Sequence, residues 1–317
     1  MASAFSTPIE LNMNDIPVQQ AKPERIRFLR ARDRNYHFAK WTQGVMVSVS
    51  IALPVLGAIE GPTHPTVKAF VALVAIILLL LDTAWIERLQ KDRIKRGAKL
   101  QEQFDTEVFQ LPWNRFVAGK PVDLEELRRL SAKPVDPARE THFLSWYDKS
   151  VGKLPLYLGR MVCQRTNLRY DSRLRRTYGG WVLGATVVFV VVMLGISVPI
   201  GVQLNDLLLN VAVPFMPLLT WALKEHRAQT TSASSIENLF AEWDTLWGKA
   251  LRDGTVADME AGSRNLQDAI YQYRERNPLV FDWVYYRMRN ASEDEAHHAA
   301  EELVATAIKS LEGRTQQ

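Results

Sequence analysis

Residues 181–204 read WVLGATVVFVVVMLGISVPIGVQL, 24 positions without a charged side chain. An α-helix needs about 20 apolar residues to cross the roughly 30 Å hydrocarbon layer of a bilayer. A buried helix of a soluble protein rarely stays uncharged on every side for that long. Residues 207–223 add 17 uncharged positions, residues 41–59 add 19, and residues 69–86 give 18 interrupted only by Asp82. The four runs form two close pairs, each followed by a long polar segment. This pattern predicts an all-α membrane protein with two transmembrane helical hairpins, and it excludes most soluble-enzyme classes.

The expected organisation is a cytosolic N-terminal arm and basic helix (1–40), a first hairpin (41–86), a cytosolic helical region (87–180), a second hairpin (181–223) and a C-terminal cytosolic helical region (224–317). The two large polar blocks are near the lower end of domain size and can pack into one body. Their charge explains a mean hydropathy just below zero in a chain of 317 residues. Lysine and arginine cluster before the first run, after the second, before the third and after the fourth. Of the two hairpin tips, only the first holds a basic residue, Lys68. By the positive-inside rule both termini and both blocks face the cytoplasm of a multi-pass inner-membrane protein. One cysteine, Cys163, forbids an internal disulfide and agrees with a reducing compartment. No cleavable signal is expected; 41–59 reads as an uncleaved anchor.

Ile86, Leu89, Ile94, Ala98, Gln101, Phe104 and Val108 keep a helical rhythm past the second run, predicting one rod over 69–110, about 63 Å long. Ile236, Leu239, Phe240, Trp243, Leu246, Trp247, Ala250 and Leu251 form a clear amphipathic stripe. Ser292 and Glu295 read as the start of a last helix. Residues 1–23 read as a loose arm. No segment alternates as a strand does, so the cytosolic body is expected to be helical as well.

Arg165, Arg169 and Arg173 share one helical face with Arg176. The plain reading is anchoring against lipid phosphates. It fits Arg165 poorly, since 16 residues of helix place it roughly 24 Å from Trp181. The deeper arginines therefore call for an acidic partner or an anionic ligand, and a guanidinium suits phosphate through its two parallel donors. Trp113 and Tyr170 offer faces on which nucleobases can stack; their plain reading is a small helical core. Gly179-Gly180 offers a hinge, and Asp82 sits where a span meets the interface. His297-His298 reads as solvated surface rather than a metal site. No glycine-rich phosphate loop, triad order or isolated carboxylate pair is present. No catalytic residue, metal or cofactor is expected, and the protein is read as not an enzyme.

Several strings then resemble one known family together. Ile16-Pro17 with Gln19 and Gln20 precedes Leu29-Arg30-Ala31-Arg32-Asp33-Arg34-Asn35-Tyr36 and Ala39-Lys40. Phe104-Asp105, Val108-Phe109 and Leu111-Pro112-Trp113-Asn114 follow, then Cys163-Gln164-Arg165 and residues 167–176. Leu266-Gln267-Asp268-Ala269-Ile270-Tyr271, Arg274, Pro278 and Asp282-Trp283 close the pattern. The order is similar to that of the bacterial SMODS-associating four-transmembrane effectors. One departure is Phe281, where a proline would be expected. The resemblance implies an effector of anti-phage defence, linked to a nucleotidyltransferase that makes cyclic oligonucleotides. Such an effector would sense the messenger through its cytosolic part, form a homo-oligomer among membrane lipids and permeabilise the inner membrane, an abortive infection. On this reading Arg165, Arg169, Arg173, Trp113 and Tyr170 form the ligand site, and no nucleic acid is bound. The alternative is a non-pore scaffold that docks a cytosolic partner along the 236–251 stripe.

Overall fold

The computed structural model describes residues 14–60, 64–197, 205, 208, 212–252 and 256–315. Among them every regular element is helical and no strand forms. The chain is an all-α membrane protein. Among the described residues three helical stretches are long and apolar enough to cross a bilayer: Pro23–Gly57, Ala69–Phe109 and Leu156–Gly195. The fourth expected run, 207–223, lies partly outside the described residues, as does part of each hairpin tip.

Helix α1 (Ile16–Gln20) leads into α2 (Pro23–Glu60), which runs unbroken from the polar body through the first apolar run, with Pro54 inside it. Pro23 opens α2, where its missing N–H leaves no bond unmade. Helix α3 (Pro65–Leu81) passes through a π-helical turn, Asp82–Ile86, into α4 (Glu87–Phe109). The expected rod is therefore present, carrying a bulge where the span meets the polar part. Gln110 ends it in the left-handed region at φ 54°, and Pro112 prevents continuation. Short helices α5 (Arg115–Ala118), α6 (Leu124–Ser131) and α7 (Pro137–Leu144) precede a 3-10 turn, Lys149–Lys153. Three long helices and one of 21 residues complete the chain: α8 (Leu156–Ser197), α9 (Val213–Arg252), α10 (Val256–Arg276) and α11 (Asp282–Thr315).

Two local expectations are corrected. Residues 14–20 belong to the body and are no loose arm; residues 1–13 lie outside the described part. Ile16 is fully buried, and the Asn14 amide donates to Val151 O and Leu154 O at 2.6 and 2.9 Å. Gln20 donates to Tyr147 O at 3.0 Å and accepts from Tyr147 N at 2.7 Å. The last helix starts at Asp282, ten residues before Ser292. Nothing between them breaks a helix, so the Ser-x-x-Glu spacing falls inside an element.

The body closes on one core. Leu100, Phe104 and Val108 of α4 meet Leu158, Met161 and Val162 of α8, Trp243 of α9, Ile270 of α10 and Val304 of α11. The 236–251 stripe is spent here: Ile236, Trp243, Trp247 and Ala250 are buried within this chain, leaving no free stripe for a partner helix. Amid the core lies a polar knot. Asp105, fully buried, accepts from Tyr147 Oη at 2.6 Å, Arg274 Nη1 at 2.5 Å and Gln267 Nε2 at 3.2 Å. Burial, with Asp105 adding to it, pushes the Tyr147 phenol well up, so it stays a donor. Every such bond ties α4 to another element, which fixes their register.

Candidate functional site

Arg32, Tyr36 and Lys40 recur every four residues along α2 and share one face. That face forms a wall of a cavity of about 470 Å³. Gln101 of α4, Arg139 and His142 of α7, Asn167 and Arg175 of α8, and Tyr273 and Arg274 of α10 supply other walls, with Trp146 beyond α7. Gly97 lets α4 pass close to α2: a Cβ there would stand 3.0, 3.2 and 3.2 Å from three carbons of the Tyr36 ring.

The described lining carries five cations, Arg32, Lys40, Arg139, Arg175 and Arg274, against three carboxylates, Asp33, Asp148 and Asp282, a net +2 with histidines neutral. Lys40 pairs with Asp282 and Arg139 with Asp33. His297 Nδ1 lies 2.7 Å from Asp148 Oδ2. Arg175 Nη1 donates to Gln229 Oε1 at 2.9 Å and Pro278 O at 2.8 Å. The Arg32 guanidinium carbon lies 4.9 Å from the Tyr36 ring centroid and 5.0 Å from that of Trp146, and its Nε finds no hydrogen-bond partner among the described residues. Arg274 spends Nη1 on Asp105, while its Nη2 and the Oδ1 of the buried Asn277 stay without partners among the described residues. Such buried orphans cost about 1–3 kcal/mol each until something meets them. The arrangement offers guanidinium forks for phosphate and aromatic faces for bases, the chemistry of a nucleotide pocket.

The model of the SMODS-associating 4TM effector domain matches residues 14–303. The chain belongs to the SMODS-associating 4TM effector family. Membership makes it a membrane effector of anti-phage defence. A probable CBASS effector molecule of Bacillus cereus (strain VD146) is 26% identical over 288 residues, which cover 87% of this chain and 94% of that protein. No solved structure matches the chain.

Three of the residues expected to form the effector's ligand site can be placed. Arg165 lies over the Phe240 and Trp243 rings, 5.5 and 5.2 Å from their centroids, at the seam of α8 and α9. Arg173 is exposed, and its neighbour Arg176 makes two 2.8 Å bonds to Glu237. Trp113 donates to Gly119 O at 2.8 Å and packs against Ala98, Ala118 and Tyr271. None of these three lines the cavity. The side chains of Arg169 and Tyr170 lie outside the described part. The reading by residue type missed Arg32, Tyr36, Lys40, Trp146, Arg175 and Arg274 as a group. Five of the six stand in the strings that carry the family resemblance, and the every-fourth spacing on α2 was an available signal.

Proposed function

We propose that this effector binds a cyclic oligonucleotide messenger in the cavity between α2, α4, α8, α10 and α11. Binding then promotes oligomerisation and permeabilises the bacterial inner membrane, with both termini in the cytoplasm. The protein acts by altering the membrane and turns over no substrate. A nucleotidyltransferase supplies the messenger.

One observation carries this reading: three of the elements that wall the cavity, α2, the α3–α4 rod and α8, run on into segments long and apolar enough to cross a bilayer. Arg32 and Lys40 stand on α2, Gln101 on the α3–α4 rod and Arg175 on α8, each continuous with an apolar span. A ligand that repositions these side chains acts directly on the rods. It shifts the equilibrium only by its different affinity for the two arrangements. Purified protein in liposomes loaded with a fluorescent dye provides the test. Release on adding one of a panel of cyclic di- and trinucleotides, and none with linear nucleotides, is the expected result. No release with any cyclic oligonucleotide, at protein densities that permit assembly, refutes the proposal.

A further inference from the structure

We infer that the segment joining α10 to α11, residues 277–281, is the strap that couples the cavity to the membrane helices, with Phe281 as its wedge. The inference rests on the reading that the messenger occupies the cavity. Four strap residues, Asn277, Pro278, Leu279 and Val280, line that cavity. The backbone carbonyls are held from two helices: Arg175 Nη1 of α8 donates to Pro278 O at 2.8 Å, and Gln229 Nε2 of α9 donates to Leu279 O at 3.0 Å. The Leu279 side chain packs with Ala39 of α2 and Ile94 of α4, and Val280 packs with Leu174 and Tyr178 of α8. Five residues thus touch every long helix that leads toward the bilayer.

Phe281 is placed at the boundary itself. Its ring meets Tyr178 of α8 edge-on, with centroids 6.3 Å apart, and Trp221 of α9 at 6.4 Å. On α2 its Cε1 faces Gly44, 3.8 Å from where a Cβ would stand. Gly44 and Trp221 belong to apolar runs, and Tyr178 stands three positions before a third.

The two cations that hold the strap, Arg175 at Pro278 O and Lys40 at Asp282, both line the cavity. A phosphate offers Arg175 a bond between two charges, stronger than the one it makes to a neutral carbonyl, and offers Lys40 an anionic partner in place of the Asp282 carboxylate. Ligand binding therefore competes for the strap's anchors at both ends. Releasing them frees Phe281 from its seat, and the three helices it separates change neighbours.

Dye release from liposomes, measured with and without cyclic oligonucleotide, tests this on full-length protein. Phe281→Ala is expected to raise ligand-free release about tenfold and lower the half-maximal messenger concentration by a similar factor, within the usual range of coupling between sites. Phe281→Trp should restore the parent behaviour. Asp282→Asn removes the Lys40 pair at a partly exposed position and should act in the same direction, which keeps the test decisive if Phe281→Ala fails to fold. Ligand-free release and half-maximal concentration equal to the parent in both variants overturn the strap. If the parent answers no cyclic oligonucleotide while Phe281→Ala leaks by itself, the messenger reading fails and only the seating of the helices by Phe281 stands. If the parent responds and neither variant shifts, the strap fails and the messenger reading stands.

Discussion

Glu225 gives the sharpest quantitative prediction. It lies on α9 two residues past the last apolar run, is 8% exposed, and accepts from Gln229 Nε2 at 2.8 Å. Burial pushes its carboxyl up from 4.5 to about 7, against the opposing effects of the Gln229 bond and Arg175. The folded protein thus keeps a proton that the unfolded chain gives up near pH 4.5. Below that pH both states hold it and the contribution to stability is full. As pH rises toward 7 the unfolded chain ionises first, and stability is lost across that window. A rise from 4.5 to about 7, at about 1.4 kcal/mol per unit, gives a loss of about 3 kcal/mol by pH 8. Glu225→Gln keeps an acceptor for Gln229 and removes the charge. Thermal unfolding in detergent between pH 4.5 and 8 should show the variant matching the parent at the acid end. At pH 8 the variant should be more stable by an amount approaching that figure. The difference between the two proteins cancels the titration of the histidines, which both contain. Parallel pH profiles for the two would refute the reasoning.

Asp105→Ala strands the Arg274 guanidinium in the core together with the Tyr147 hydroxyl. Breaking a buried pair from one side costs about 3–5 kcal/mol, read by denaturant unfolding; a loss under 1 kcal/mol would show that the knot is not holding the body. Trp146→Ala removes a stacking face from the cavity and should weaken messenger binding about 5- to 150-fold, from about 1–3 kcal/mol per stacked base. Arg165→Ala, at the α8–α9 seam, should leave the affinity unchanged; calorimetric titration separates the two, and the reverse ranking would move the site back to the arginine face.

The rods were legible because uncharged length and unbroken helical rhythm are local properties. Neither Pro54 nor Pro217 ends its helix. The site was less legible because a juxtamembrane arginine has several possible partners, and only tertiary pairing chooses among them. Arg165 looked too deep for lipid and lies over Phe240 and Trp243, a pair that exists only once α8 and α9 align. Arg32 counted only among the basic residues before the first run and meets Trp146, more than a hundred residues away. Gly179 read as a hinge, yet its bareness serves close approach: a Cβ there would stand 3.2 Å from Gln229 Cβ. The strap was invisible because residues 277–281 carry no periodicity, and their importance comes from which four helices surround them.

The distribution of packing explains why so small a segment can matter. In the body, displacing a rod tears a continuous core and the Asp105 knot. Among the described residues of the spans the buried apolar clusters are small, such as Leu53 with Val71 and Ala75, and Phe189 stacks on Phe215 at 5.6 Å. Leu73, Ile76, Ile77 and Leu80 on α3, and Val187, Val188, Val191 and Val192 on α8, face outward. Covering them gains little, since acyl chains are as apolar as the side chains that would replace them. Alternative span arrangements therefore differ by small free energies, and the contacts at the boundary decide between them. Moving such an equilibrium from 1:99 to 99:1 takes about 5.5 kcal/mol of differential affinity. Two hydrogen bonds to charged groups, at about 1.5–3 kcal/mol each, come to about 3–6 kcal/mol. Arg175 and Lys40, the two cations that hold the strap, are thus enough to carry the switch if a phosphate engages both in one arrangement and neither in the other.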